Sequence, residues 1–305
     1  MEMVSPITGN SNVTVIQKYL AADLILKWKK AFELDISDEL KSVKEIFLCE
    51  CNESKLRFYL PIEVAGSDKL YKKLSEKYEW YYGEEKWEFD IGADLVQKFS
   101  PRSLLEVGSG KGHFLRKIIP SVENALGIEF NQDALVYAKK EKLPIKNLTL
   151  GKLIESSSSF DFIASFEVFE HLTEPLTFIQ DSLRLLSQNG RMLIAVPNRN
   201  SFVKYGEVLL DMPPHHMLTI NVDFFKYLAN RFNLELEIVK YEPLASYHID
   251  FYLSLLREKI FNNFHSFTVR RGFSLILKIY RKLLSFGFIR SFVRGQTILV
   301  VLRKR

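Results

Sequence analysis

Three glycines at alternate positions are the first residues of this sequence whose types and spacing point to chemistry. The stretch LLEVGSGKGHFL, residues 104–115, places Gly108, Gly110 and Gly112 behind a short apolar run, with Ser109 among them and Glu106 ahead of them. A glycine-rich turn between a strand and its helix exposes backbone N–H groups to a ligand. Dinucleotide-binding turns have their third glycine one residue later, and Glu106 would repel a pyrophosphate. The turn therefore favours a ligand with a cationic end.

A second acid ends the next apolar run. Glu129, in NALGIEF, follows Gly112 by 17 residues. A carboxylate at this point can accept hydrogen bonds from both hydroxyls of a ribose. Together with Glu106, this acid predicts a cofactor that combines a nucleoside, a sulfonium and an amino-acid tail.

The elements that must position these residues alternate between strands and helices. Apolar runs of strand length at LLEVG, NALGIEF, FDFIASF and RMLIAVPN are each followed by helical spacing or a turn, and NLTLGKL is a weaker third strand. LELEIVKYE and TILVVLRK add two more strands near the end of the chain. This order predicts an α/β fold with a mostly parallel sheet and helices on both faces.

Two further segments flank or interrupt that sheet. Residues 1–98 indicate an N-terminal helical and hairpin module, with a helix over 14–34, two strands around the turn 52–54, and two helices separated by an aromatic break. Residues 99–305 form the main domain, and 246–296 are a basic amphipathic insertion before the last strand.

The main domain resembles class I S-adenosylmethionine-dependent methyltransferases. The stretches that carry the resemblance occur in the family's order and spacing: LLEVGSGKGHFL, ALGIEF, FDFIASFEVFEHLTEP and LSQNGRMLIAVPN. The resemblance implies a Rossmann-like seven-stranded sheet and S-adenosyl-L-methionine as cofactor. It implies that Gly108, Ser109 and Gly110 line the methionine half of the cofactor and that Glu129 holds the ribose. Phe130 would flank the adenine, and Phe166 and Glu167 would close over it.

The sequence departs from the family after the third strand. Many members carry an acid there that contacts the adenine amine, whereas LTLGKLIESSSS has no acid before Glu155. A backbone group or a serine side chain would have to replace it.

The acceptor is indicated only as a class. FEVFEHL resembles the ubiquinone-biosynthesis-like branch, and four further stretches resemble methyltransferases of surface-polysaccharide and glycan biosynthesis: KLRFYLP, YEWYYGEEKWEFDIGADLV, DMPPHHMLTINVDFF and RGQTILVVLRKR. We expect methyl transfer to a small molecule or glycan, at a sugar hydroxyl. The alternatives are a quinone-like phenol, an amino-sugar nitrogen, or a non-catalytic scaffold that binds the cofactor in a membrane-associated glycan-assembly complex.

Transfer to a hydroxyl calls for a base, and histidine suits neutral pH. His215 and His216, in PPHH, follow the fifth strand and so fall at the sheet edge where ligands bind in open α/β folds. We expect one of this pair in the active site, with His215 ahead, and Asp211 could orient it. His171, in EHL, lies close to the cofactor in the resembling family.

An aromatic cluster precedes the glycine turn. Aromatic rings pack well on the C–H face of a sugar, so Tyr82 and Trp87 are candidate acceptor contacts, and the neighbouring Glu88 is expected to be an exposed charge. Cys49 and Cys51 are too few for a closed zinc site, so no metal is expected.

Charge is uneven along the chain. Residues 251–305 hold 12 Lys or Arg against one acid, Glu258, while the whole chain carries a formal charge of +5. A basic, aromatic-rich amphipathic helix can lie in a membrane interface or cover the sheet as a lid. The absence of a recognition motif argues against nucleic acid as a partner, and the low cysteine content favours the cytoplasm, with peripheral contact at the inner face of the membrane through 251–296. The sequence carries no signal for oligomeric state.

Overall fold

A computed structural model describes residues 3–78, 81, 83–263 and 266–305 of the chain. Its largest element is a seven-stranded sheet with the strand order β10-β11-β8-β7-β4-β5-β6. The strands are β4 Ser103–Val107, β5 Asn124–Ile128, β6 Ile145–Lys146, β7 Phe160–Phe166, β8 Leu186–Pro197, β10 Leu234–Pro243 and β11 Arg294–Lys304. The pairs among β4, β5, β6, β7 and β8 are parallel, and β11 is antiparallel to both β8 and β10. The predicted mostly parallel sheet is confirmed.

Alternate residues of the central strands enter two different apolar layers. Leu105 and Ile163 belong to one buried cluster, whereas Leu104 and Phe162 belong to another. Because successive side chains of a strand point to opposite faces, these clusters are the two covered faces of the sheet. Helices α4 Trp87–Phe99 and α5 His113–Ile118 pack on the second cluster, and α7 Leu150–Glu155, α8 Pro175–Leu185 and α9 Val222–Arg231 pack on the first. Helix α6 Gln132–Lys140 follows β5.

Two sequence-based predictions of secondary structure are wrong. The predicted helix over 14–34 is strand β1, Val13–Leu20, followed by helix α1, Ala21–Phe32, because the β-branched run at its start pairs with a neighbouring strand. The strand predicted at 147–153 is absent: the short β6 ends before it, at Lys146, and α7 begins within it, at Leu150. Thr149 caps that helix by accepting a hydrogen bond from the backbone N–H of Lys152 at 3.2 Å, which favours helix over strand.

A smaller antiparallel sheet lies in the N-terminal part, with the order β1-β2-β3-β9. Strands β2 Glu45–Cys51 and β3 Arg57–Leu60 form the predicted hairpin, and the fourth strand, β9 Leu218–Thr219, comes from beyond residue 98. Helices α2 Ser37–Leu40 and α3 Asp68–Lys77 complete this part. Its apolar side chains, Trp28 among them, join the cluster on one face of the large sheet. The boundary at residue 98 stays a prediction.

The insertion before the last strand is helical. It contains α10 Ile249–Asn263, α11 Phe267–Leu283 and α12 Gly287–Arg290, which share an apolar cluster with the segment after β8. Within the described residues, we find no helix whose length and apolar character would let it span a bilayer.

Candidate functional site

The glycine turn follows β4 and leads into α5. Gly108 and Gly110 have φ angles of +73° and +51°, a region that side chains of L-residues rarely adopt. A Cβ atom at Gly108 would also lie 2.3 Å from Cγ2 of Val168. Positive φ and close packing together explain why this position needs glycine.

The Glu129 carboxylate joins this turn to the next one. Its Oε2 accepts a hydrogen bond from the backbone N–H of Gly110 at 2.7 Å, and its Oε1 accepts from those of Phe130 and Asn131 at 2.7 and 2.8 Å. Three backbone donors therefore fix the carboxylate between the loops that follow β4 and β5. Each oxygen retains lone pairs that could accept from a ligand hydroxyl.

Glu106 is buried near the glycine turn and lacks a partner for one oxygen. Its exposure is 2%, and Oε2 has no hydrogen bond within the part of the chain that the structure describes. Burial, followed by the nearby charge of Glu129, raises the pKa of Glu106 well above its usual value. A ligand that brings a donor or a positive charge would satisfy this oxygen, so the residues present fit the predicted cofactor.

These residues line a cavity of about 1440 Å³ at the carboxyl ends of the parallel strands. Most of the predicted cofactor residues contribute to its wall: Glu106, Gly108, Ser109, Gly110, Glu129, Phe130, Phe166 and Glu167. Gly112 does not; its φ of +76° and the close approach of Leu143 give it a role in starting α5. Phe130 is 58% exposed, whereas Phe166 packs against Phe114 with ring centroids 4.5 Å apart.

Glu167 follows β7 directly and has an unusual backbone conformation. Its φ is +54°, and its Oε1 is buried without a hydrogen-bond partner among the described residues. Burial, and then the charges of Glu170 and Glu88, raise its pKa well above the usual value. A non-glycine residue in this region is held there by its surroundings, which is common at functional sites.

The three predicted histidines meet at the other end of the same cavity. The ring centroids of His215 and His216 are 4.4 Å apart and nearly stacked, and the ring of His171 lies 4.7 Å from that of His216. All three rings line the cavity. Two distant stretches, EHL and PPHH, therefore form one cluster.

Backbone carbonyls fix the tautomers of two of these rings. Nδ1 of His171 is 2.7 Å from the carbonyl oxygen of His215, and Nδ1 of His215 is 2.8 Å from that of Leu210. Because a carbonyl oxygen only accepts, each Nδ1 carries the proton and each Nε2 carries a lone pair. Nε2 of His215 then accepts from the hydroxyl of Tyr81 at 3.0 Å.

Burial keeps the cluster uncharged. It lowers the pKa of His171 to about 4 and those of His215 and His216 well below their usual value. Desolvation likewise raises the pKa of Glu170 to about 8 and that of Asp211 to about 7. Neutral histidines at neutral pH can accept a proton from an acceptor.

Two acids flank the rings. Oδ1 of Asp211 lies 3.4 Å from Nδ1 of His216, and Oε1 of Glu170 lies 3.9 Å from its Nε2. Neither of these oxygens, nor Oε2 of Glu170, has a hydrogen-bond partner among the described residues. Asp211 therefore lies beside His216 without a hydrogen bond to it, and its role as an orienting acid stays a prediction.

The histidine cluster could also hold a metal ion. One ligand atom from each of His171, His215 and His216 lies within 4.8 Å of the others. Imidazole nitrogens whose second ring nitrogen bonds a carbonyl are common metal ligands. The sequence-based expectation of no metal stays a prediction.

The aromatic segment before α4 contributes differently from the prediction. Tyr82 lies outside the described residues, and Trp87 packs on the apolar cluster beneath α4 rather than on the cavity wall. Tyr81 lines the cavity instead. Glu88 is not an exposed charge: it is 5% exposed and lines the cavity, because the first turn of α4 faces inwards.

Several site residues had no clear sequence signal. Glu170 is within the quoted motif FEVFEHL but resembles any helix-forming acid. Tyr71 lies 144 positions from His215, and its hydroxyl donates a hydrogen bond to the backbone carbonyl of His215 at 3.1 Å. Glu242, Tyr247 and Phe251 line the cavity from β10 and the insertion. The phase of the α3 apolar spacing could have indicated which face of that helix carries Tyr71, but not its partner.

Comparisons with known proteins show which family this chain belongs to. The family described as "Methyltransferase domain" matches residues 80–239. A Mycolicibacterium smegmatis protein named as a probable S-adenosylmethionine-dependent methyltransferase is 24% identical over 166 residues, 54% of this chain and 62% of that protein. A ubiquinone biosynthesis O-methyltransferase of Parvibaculum lavamentivorans is 30% identical over 117 residues, 36% of this chain and 46% of that enzyme.

The matched region spans about half the length of these curated relatives. The solved plantazolicin methyltransferase in complex with SAH aligns over 78% of this chain and 91% of its own, with 18% identity and a TM-score of 0.48. The family match itself covers just over half of the chain. The protein therefore belongs to the methyltransferase-domain family.

Proposed function

We propose that this protein transfers a methyl group from S-adenosyl-L-methionine to a small-molecule or glycan acceptor, at a hydroxyl. The observation that carries this proposal is one continuous cavity that joins the glycine turn, Glu106 and Glu129 at one end to the histidine cluster at the other. When bound, the cofactor supplies an electrophilic methyl group on its sulfonium.

Two acids and the glycine turn hold the cofactor in this proposal. Glu106 faces its cationic end, and Glu129 accepts from the ribose hydroxyls. Phe130 flanks the adenine, while Phe166 and Glu167 close the site. The segment 149–151, which lacks the acid common in related enzymes, lines the same cavity, so backbone groups replace that acid.

His171 is the base that the geometry favours. Its Nδ1 is held by the His215 carbonyl, its Nε2 carries a lone pair, and its side chain is 22% exposed against 6% for His216. Nε2 of His171 would accept the proton of the acceptor hydroxyl, and the bound cofactor would supply the methyl group that this oxygen receives. His215, which the sequence placed first, orients His171 through its carbonyl and bonds Tyr81.

The test combines calorimetry with detection of S-adenosylhomocysteine, using a panel of sugar-hydroxyl, amino-sugar and catechol acceptors. We expect cofactor binding and turnover on a sugar hydroxyl. His171→Gln should lower kcat by about 10²-fold or more, while the cofactor Kd changes less than about twofold. Tyr227→Phe, on the outer part of α9, is the control and should retain turnover.

Other outcomes would redirect or overturn the proposal. Turnover only on the amine or the catechol would replace the sugar hydroxyl with one of the two alternative acceptors. Loss of turnover after chelation would replace the base with a metal at the histidine cluster. Cofactor binding without turnover on any acceptor would favour a scaffold in a glycan-assembly complex.

The proposed acceptor class includes glycans carried on a lipid. The basic segment 251–296 supports peripheral contact with a membrane, and we place the protein in the cytoplasm at the inner face of that membrane.

A further inference from the structure

Helix α11 carries two apolar faces, and only one of them is covered. Leu277 and Leu284 are buried in the cluster formed with α10, and Phe273 and Tyr280 pack against it. The neighbouring face is open to solvent. It contains Leu275, Ile276, Ile279 and Leu283, which are 62%, 58%, 56% and 46% exposed.

The open face continues past the end of the helix. Phe286, Phe288 and Phe292 are 64%, 72% and 74% exposed, and the rings of Phe288 and Phe292 touch edge to face, with centroids 5.1 Å apart. We call these seven exposed apolar residues of 275–292 the outer face. An exposed patch of large aliphatic and aromatic side chains marks an interaction surface.

Positive charge borders the outer face. An α-helix turns by about 100° per residue. Around α11 this places Lys282, Arg271 and Lys278 in a strip directly beside the exposed apolar residues. The segment 259–305 contains no acid to neutralise them. A helix with an aliphatic face beside a basic strip is suited to the boundary of an anionic bilayer.

The same charges disfavour a second copy of the chain as the partner. In a twofold contact the same patch meets itself, so the basic strips of both copies would lie close together and repel. Anionic lipid head groups would neutralise these charges instead.

Helix α11 is tied to the element that borders the cavity, through the side of the helix opposite to the outer face. Arg281 forms a two-point ion pair with Asp250, at 2.6 and 2.9 Å, which places the end of α11 beside the first turn of α10. Tyr247, which precedes that turn, and Phe251, which belongs to it, line the cavity, and Tyr247 is 75% exposed. No described residue of α11 lines the cavity, so this helix is not its lid.

We propose that the outer face docks the protein on an anionic lipid bilayer. This inference rests on the proposed function for its biological sense, because it supplies a route for a lipid-carried acceptor. The docking itself depends only on the outer face and its basic border.

The test is co-sedimentation of the full chain with vesicles of phosphatidylcholine, with and without phosphatidylglycerol. We expect binding to the anionic vesicles that weakens with salt, and little binding to the neutral ones. The double variant Phe288→Ser/Phe292→Ser should lose affinity about tenfold or more. Lys278→Glu/Lys282→Glu should lose at least as much, since each basic residue contributes about fivefold near an anionic surface.

Matched controls come from exposed residues elsewhere. Leu26→Ser/Val136→Ser removes two side chains that are 66% and 71% exposed, and Lys139→Glu/Lys140→Glu reverses two charges on α6; both should bind vesicles as the unaltered chain does. The proposal is overturned if the chain stays in the supernatant with both vesicles, or if the Phe288/Phe292 variant binds unchanged. A dimer that this variant converts to a monomer would assign the face to a second copy instead. Cofactor affinity, measured in parallel without vesicles, reports separately on the proposed function.

Discussion

At the scale of single residues, the site is characterised by buried acids that lack partners. Glu106, Glu167 and Glu170 each have at least one carboxylate oxygen without a hydrogen bond among the described residues. Burying such an oxygen opposes folding, so these acids lower the stability of the free chain. The same oxygens become favourable contacts when a positively charged or hydrogen-bonding ligand arrives. An unpaired carboxylate at these positions therefore destabilises the free chain but favours ligand binding.

Glu106→Gln tests whether this acid destabilises the free chain and favours cofactor binding. The amide cannot ionise, so we expect the unfolding free energy of the free chain to stay level or rise by about 1 kcal/mol. Affinity for S-adenosylmethionine should fall about tenfold, because the charge facing the cationic end is lost. Thermal unfolding and calorimetry give the two values, with Glu123→Gln on the surface as the control. An unchanged affinity would remove Glu106 from the cofactor site.

At the scale of elements, the loops that follow β4 and β7 restrict each other's position. The turn after β4 passes so close to the loop after β7 that Gly108 has no room for a side chain beside Val168. Neither loop can shift without the other. The cofactor end of the cavity is thus built as one unit from segments about sixty residues apart.

Gly108→Ala should destabilise the chain by about 2–4 kcal/mol, since it adds a steric clash to an unfavourable positive φ. Gly9→Ala is a matched control: its φ is +72°, but nothing lies within 4 Å of the added Cβ, so only the backbone penalty of about 1 kcal/mol applies. The double variant Gly108→Ala/Val168→Ala should lose only about as much unfolding free energy as Gly9→Ala, because the smaller side chain at residue 168 removes the clash. Equal losses in Gly108→Ala and Gly9→Ala would contradict a role for packing.

Local patterns indicated the residues around the glycine turn more completely than those around the histidine cluster. The glycine turn, Glu129 and the strands around them follow one another closely in sequence, so spacing alone indicated their proximity. Tyr81 and Glu88 depend on how the N-terminal elements pack on the sheet, and no local spacing encodes that packing. The strand at Val13–Leu20 was mistaken for a helix for the same reason, since its partner β2 lies some thirty residues away.

At the scale of the whole molecule, two sets of buried groups oppose each other as pH changes. Burial raises the pKa values of Glu170, Asp211 and Glu242 to about 8, 7 and 7. Burial lowers those of His171 and His248 to about 4. Above about pH 6.5 only the acids titrate, and the folded chain holds more protons than the unfolded one. Between about pH 6.5 and pH 4 the unfolded histidines bind protons that the buried ones do not, which opposes the effect of the acids.

We therefore expect the unfolding free energy of the cofactor-free chain to be greatest at mildly acidic pH. It should fall by on the order of 2 kcal/mol between about pH 6.5 and pH 9, as the three acids ionise, and change less between about pH 6.5 and pH 4, where the acids and the histidines oppose each other. Urea unfolding across this range measures it. Glu170→Gln should flatten the alkaline limb, whereas Glu63→Gln, which is exposed, should leave it unchanged. A stability that rises steadily up to pH 9 would show that these acids are ionised in the folded chain.

The small N-terminal sheet holds the loop that carries His215 and His216. Strand β9 follows the histidine pair directly and pairs with β3, while the backbone N–H groups of Tyr59 and Gly66 bond the carbonyls of Met217 and Pro214 at 2.9 and 2.7 Å. The loop that carries His215 and His216, and whose backbone orients the proposed base, is thus held by the N-terminal sheet. The glycine turn, where we propose that the nucleoside binds, belongs to the large sheet instead. Substitutions in the first seventy residues should therefore alter acceptor binding and leave the proposed binding site of the methyl donor unchanged.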